Sequence, residues 1–243
     1  MIELQVIYKN MVTINDIKIS DVGYFINLDK RKDRLEKITN QFNDLNIIGV
    51  ERFSANSSTD SGPTNCKISH YSLFEKFLKT EGKVLLVLED DCLFLDNFKF
   101  NHKDILNDIN LTEWDLFWLG CRNRRTPIKH TNNTLKVSSV SHAQSYLIKR
   151  NLCEHILTTY PVNEYSTTAI DELLCLLVYG EEVVKNPKKF NFYDLDSPIT
   201  QLPTYFTSLC YKEALTTQYQ SYSDLWYNNV DYEEYIKNSY PTI

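Results

Sequence analysis

The stretch Lys83-Val84-Leu85-Leu86-Val87-Leu88-Glu89-Asp90-Asp91-Cys92-Leu93-Phe94 constrains this chain more than any other. Its apolar run is too short to span a membrane. Rich in Val and Leu, it suits a strand buried on both faces. The run ends in three consecutive carboxylates, which cannot share a dry core without cations or protons. A sheet is therefore predicted with the acids at its mouth, where open α/β folds bind ligands. A carboxylate cluster there suits a hard divalent cation held against a phosphate.

The flanking sequence reads as further α/β material. Residues 2–19 carry two weakly alternating apolar runs and predict a hairpin or extension. Val22–Leu28 is a strand that runs into the charged turn Asp29–Arg34 and then a helix with Leu35, Ile38, Phe42 and Leu45 on one face. Arg31 and Arg34, three apart, suit phosphate oxygens. The competing reading is a solvated helix start with pairs such as Lys32–Glu36. Ile47–Phe53 predicts a second strand, and 54–64 a polar loop long enough for a flap. A helix follows with Leu73, Phe74, Phe77 and Leu78 on one face. Ser69 is read as its cap or first turn, and His70 as either a ligand-binding or a packed residue near its start.

Beyond the acids, a helix is expected through Ile105, Leu106 and Ile109, and a buried strand over Trp114–Gly120. The segment 121–135, with Arg122, Arg124, Arg125 and Lys129, is a basic loop suited to an anionic ligand or to plain surface. Two short strands (137–140 and 143–148) and a helix over 151–160 come next. Around Thr167–Leu177 an acid again meets an apolar run. Asp171, near that helix start, either complements the helix dipole or serves as a general base. Residues 183–187 close the α/β material, and 194–201 read as a loop. From Thr204 the chain turns aromatic and acidic, which predicts a helical tail packed on the domain. The expected organisation is an extension over 1–20, a domain over 21–203 and the tail over 204–243.

The chain has 243 residues, 42% hydrophobic and 24% charged, enough apolar material for one large core. Its net charge of -6 argues against a large nucleic-acid footprint. Six scattered cysteines without a CxxC pair favour free thiols in a reducing, cytoplasmic setting. No basic-apolar-small leader and no membrane-length apolar run is visible.

Three segments, in this order and spacing, carry a resemblance: Phe25-Ile26-Asn27-Leu28-Asp29-Lys30-Arg31-Lys32-Asp33-Arg34, then Cys66-Lys67-Ile68-Ser69-His70, then Val87-Leu88-Glu89-Asp90-Asp91. Together they resemble glycosyltransferase family 25, which includes lipooligosaccharide galactosyltransferases and collagen hydroxylysine glycosyltransferases. The resemblance implies a GT-A-type, Rossmann-like single α/β domain with a mostly parallel sheet. It implies a UDP-sugar donor (galactose or glucose), Mn2+ or Mg2+, and inversion at the anomeric carbon. Asn27, Leu28, Arg31 and Arg34 would then line the nucleotide pocket, with Ser69, His70, Glu89 and Asp90 on the donor side. Asp91 would bind the metal, with Glu89 beside it. Asp171 is the expected base, with Glu172 next. Asn65 stands where the family often has Gly. The late acidic motif is only echoed by Asp196-Ser197-Pro198-Ile199, so a third metal ligand is unassigned. Expected acceptors are a glycan, a protein hydroxylysine or another hydroxyl, and the aromatic tail is a candidate homodimer contact. Two alternatives stand beside this reading: an inactive nucleotide- or glycan-binding module of the same fold, and a phosphatase or nuclease built on the acid cluster.

Overall fold

The computed structural model describes residues 11–162, 169–179, 204–219, 221–223, 228–230 and 232–241. Expectations for residues 2–10, 183–187 and 194–201 (with Asp196–Ile199), and for Trp226 and Tyr227, fall outside these. In chain order the strands are β1 (Val12–Ile14), β2 (Ile17–Ser20), β3 (Val22–Asn27), β4 (Ile47–Ile48), β5 (Val50–Ser54), β6 (Val84–Glu89), β7 (Cys92–Phe94), β8 (Leu116–Asn123), β9 (Ile128–Lys129), β10 (Thr134–Lys136), β11 (Val140–Lys149), β12 (Ser208–Tyr211), β13 (Thr216–Gln218), β14 (Ser221–Ser223) and β15 (Asn228–Val230). The helices are α1 (Lys32–Asp44), α2 (Gly62–Leu78), α3 (Asp96–Leu111), α4 (Arg150–Thr159), α5 (Ile170–Leu177) and α6 (Glu233–Lys237).

The apolar run before the acids becomes β6, an interior strand of an eight-stranded sheet ordered β5-β3-β6-β11-β8-β12-β10-β9. Its Leu85–Leu88 side chains are almost wholly buried. They alternate between two cores, as a period-two strand must. Leu85 and Val87 join Tyr24 and Ile26 of β3 and the buried faces of α2, α4 and α5. Leu86 and Leu88 join Phe25, the faces of α1 and α3, and Val12, Ile14 and Ile19 of the β1–β2 hairpin. Helices thus cover both faces, as a parallel sheet requires. β3, β5 and β6 are mutually parallel, and only β10 and β11 run against the common direction. The sheet is therefore mostly parallel, as the resemblance implies.

This topology places the site. The chain leaves β3 through α1 to β5 on one side, then returns through α2 to β6 on the other. The strand order reverses between β3 and β6. Their carboxyl ends, Asn27 and Glu89, flank the crevice where such sheets bind ligands.

Four local expectations are corrected. Helix α2 starts at Gly62, not near Ser69: Ser61 is its N-cap, accepting from the Thr64 N–H, and Pro63 lies in the first turn. Ser69 and His70 are therefore mid-helix. The strand expected to stop at Gly120 continues to Asn123, and part of the basic segment 121–135 forms β9 and β10 at the far sheet edge, where Leu135 is buried. The strand expected over 137–140 does not form on its own: Val140 opens β11, which runs to Lys149 and whose register shifts around His142 at φ 73. That left-handed residue acts as an irregularity inside a continuous strand. Finally, the described residues from 204 onward carry four short strands and a single short helix in place of a helical tail. β12 lies inside the central sheet beside β8, β13 pairs with β7, and among the described tail residues only Glu233–Lys237 is helical. The tail's short Ser-Leu-Cys-Tyr run is buried throughout, which is sheet-core behaviour rather than that of an amphipathic helix.

Candidate active site

At the end of β3, Asn27 is buried. Its amide donates to Asp90 Oδ2 at 2.7 Å, and its side-chain oxygen accepts from Arg52 Nε at 2.8 Å. Arg34, in the first turn of α1, reaches back to the end of β6. One nitrogen donates to Asp90 Oδ1 at 2.8 Å and to Asp91 Oδ2 at 2.9 Å. Arg34 thus sits between the acids instead of pointing outward as a phosphate clamp. Removing it would strand buried carboxylates at a cost of about 3–5 kcal/mol. Arg31 grips Asp33 through two hydrogen bonds of 2.9 and 2.8 Å and holds that carboxyl down at about 2. The Leu28 carbonyl accepts from the Arg31 N–H and shapes the turn.

The three acids diverge in environment. Asp91 is pushed up to about 7, first by burial and then by Glu89 and Asp90, against the pull of Arg34. Burial also raises Asp90, with Arg34 and Asn27 opposing. Burial works against ionised Glu89 too, but the His70 hydrogen bond, helped by Arg34 and Cys66, outweighs it and holds the carboxyl below its usual range. Glu89 Oε1 lies 3.2 Å from His70 Nε2 and 3.7 Å from Cys66 Sγ. Ser69 faces elsewhere: its hydroxyl accepts the Asn56 N–H at 2.8 Å and donates to the Asn65 carbonyl, so it pins the 54–61 loop to α2.

The described end of the chain closes over this cluster. Gln218 Nε2 approaches Asp91 Oδ1 at 3.4 Å, and the Tyr219 N–H donates to the Asp91 carbonyl. Tyr232 feels the Asp91 charge, and its ring meets His142 edge-on at 4.5 Å. Arg122 stacks on Tyr235 at 3.7 Å. Asp171 arrives on α5. Its Oδ2 accepts the His142 N–H at 2.9 Å and its Oδ1 the Glu172 N–H at 2.9 Å. Asp171 and Glu89 both act on Cys66 and on His142, so the two carboxylates border one site. Glu172 follows Asp171 in the same first turn.

The donor chemistry fits a divalent cation. Two carboxylates, Asp90 and Asp91, converge on one guanidinium with Glu89 nearby, and burial with the neighbouring acids keeps Asp91 from ionising readily. Gln218 Oε1 is a buried acceptor without a partner beside it. Sequence reasoning did not single out Arg52 or Gln218. Arg52 was reachable from the parallel pairing of β3 with β5, whereas Gln218 is brought in by a long-range contact alone.

Fold and site together define an α/β protein with a carboxylate-lined crevice at the switch point of its sheet. A model described as "Glycosyltransferase family 25 (LPS biosynthesis protein)" matches residues 60–174, a span that holds the second and third motifs and Asp171. The resemblance to glycosyltransferase family 25 is thereby shown. A "Glycosyltransferase 25 family member" of Aedes aegypti is 26% identical over 220 residues, covering 76% of this chain and 36% of its own length. "Procollagen galactosyltransferase 2" of Homo sapiens is 22% identical over 225 residues, covering 77% of this chain and 36% of its own. The chain thus spans about a third of the length of these curated relatives. Among solved structures, a glycosyltransferase involved in glycosylation of the major capsid of PBCV-1 aligns over 61% of this chain and 70% of its own, at 10% identity and a TM-score of 0.37. No helix among the described residues is long and apolar enough to cross a membrane.

Proposed function

We propose that this chain transfers a hexose, galactose or glucose, from a UDP-sugar to an acceptor hydroxyl with inversion. The observation that carries the reading is the meeting of Asn27 and Arg34 with Asp90 and Asp91 at the switch point. That meeting joins the first and third motifs of the family in space. Asn27, Leu28 and Arg31 line the nucleotide side, with Arg34 setting the charge of Asp90 and Asp91. Ser69 orders the loop beside them. Asp91, with Glu89 next to it, would hold Mn2+ or Mg2+, and Gln218 supplies a further oxygen. Such an ion would neutralise charge on the diphosphate as it leaves.

Asp171 takes the proton of the acceptor hydroxyl, and Glu172 is the reserve candidate. The His142 N–H fixes one Asp171 oxygen, which sets the direction of the base. The acceptor oxygen forms its bond to the anomeric carbon as the carbon–oxygen bond to UDP breaks. One displacement gives inversion, with the electron pair leaving on UDP. The acceptor class is a glycan, a hydroxylysine-bearing peptide or another hydroxyl, consistent with what the human relative's name says of that protein.

The test is UDP release across a panel of UDP-sugars, with Mn2+ and with chelator, with and without candidate acceptors. Metal-dependent release from one donor is expected. Asp171→Asn should keep UDP binding and lose about 10²–10⁴-fold in transfer. Undiminished transfer removes Asp171 from the base role. UDP binding that survives both chelator and Asp91→Ala removes the metal site.

A further inference from the structure

We infer that Cys66, His70 and Glu89 form a binding site for a thiophilic divalent metal, Zn2+ in type, beside the hard-cation site at Asp91 and sharing Glu89 with it. The three donor atoms lie within 4.8 Å of one another. Glu89 Oε1 stands 3.2 Å from His70 Nε2 and 3.7 Å from Cys66 Sγ. A tetrahedral zinc with ordinary bond lengths separates its ligands by about 3.3–3.6 Å, and both separations from Glu89 already lie close to that range.

The supporting structure suits ligation. Cys66 and His70 are four apart on α2 and therefore share one helix face. Glu89 enters from the end of β6, so two packed elements set the geometry. His70 is fully buried, and its Nδ1 lies 2.7 Å from the Tyr146 hydroxyl. With the Nδ1 proton given to that hydroxyl, Nε2 turns its lone pair on the site, the arrangement that orients metal-binding histidines. Glu89 is 20% exposed and provides the entry side. Three protein ligands leave a fourth position open.

The donor set selects the metal. A thiolate and an imidazole favour Zn2+ or Co2+ over Mn2+ or Mg2+, whereas the oxygens around Asp91 favour the reverse. Hydrogen bonds alone would also gather these three side chains, and the two accounts part on whether the thiol ionises onto a metal. Glu89 is shared with the proposed donor site, but the test needs no sugar nucleotide. Its failure is therefore separate from failure of the transferase reading.

The experiment adds Co2+ to the full chain, stripped of metal, without nucleotide. A near-ultraviolet thiolate-to-cobalt band and strong tetrahedral visible bands are expected, displaced by one equivalent of Zn2+. Cys66→Ser should lose the thiolate band, and Asp91→Asn should keep it. In the wild-type chain, Zn2+ should also slow alkylation of Cys66, read by peptide mass, which needs no variant to fold. No thiolate band, a band that survives Cys66→Ser, or Cys66 alkylation unchanged by Zn2+ would each overturn the site.

Discussion

Asp91 shows how one carboxylate records the whole site. Burial, with Glu89 and Asp90 nearby, carries it to about 7 despite Arg34 at 2.9 Å. Its folded value lies above its unfolded one, so between roughly pH 4 and pH 7 the native state holds a proton that the unfolded chain lacks. Its contribution therefore favours the fold below that window and is lost as pH rises through it. Asp91→Asn cannot ionise and escapes this loss. Its stability relative to wild type should climb between roughly pH 4 and pH 7 and level off above, measured by denaturant titration at each pH. Parallel curves for the two proteins would refute the raised value. Cation binding has the opposite sense: it needs the ionised carboxylate and should tighten as pH rises through about 7.

At the scale of elements, the site depends on a close crossing far along the chain. Gly120 in β8 lies against β13, and a Cβ there would meet the Thr216 carbonyl oxygen at 2.0 Å. Only glycine permits that approach. β13 also pairs with β7 and carries Gln218 to Asp91. Gly120→Ala should therefore cost on the order of 1–3 kcal/mol and also weaken metal-dependent nucleotide binding. The shift in denaturation midpoint measures the first effect, and calorimetric titration with UDP and Mn2+ the second. Normal stability in the variant would show that β13 can move aside without cost.

Across the whole molecule, the end of the chain is structural as well as site-forming. β12 fills the sheet between β8 and β10, and Leu209 and Cys210 are fully buried on opposite faces. Tyr240 meets Cys121, and the Ser239 hydroxyl accepts the Asn123 N–H. Among the described tail residues, Tyr232 and Tyr240 are half-buried and face the domain, while Tyr235 is 46% exposed. A chain ended at residue 203 should lose its cooperative thermal transition, because β8 would lack its parallel partner and both cores would open. A cooperative melt with a native far-ultraviolet spectrum would show the tail to be dispensable.

Much of the first half was legible because its signals are local. The apolar run of β6, the strand–turn–helix of β3 and α1, and the helical face of Leu73, Phe74 and Phe77 follow from periodicity within short windows. The acids at 89–91 announced a sheet mouth because burial and triple charge are incompatible. Which acid pairs with which group was decided only in three dimensions. Arg34 lies 56 and 57 residues from its carboxylate partners, and Gln218 lies 127 residues from Asp91. The same holds for His142, whose left-handed backbone inside a strand has no periodic signature, and for β12, whose short run became strand because β8 offered an edge. Sequence alone thus determined most elements of the first half and the chemistry available at their ends. Tertiary structure decided the partners, since charge, burial and register are set by contacts that the chain order does not encode.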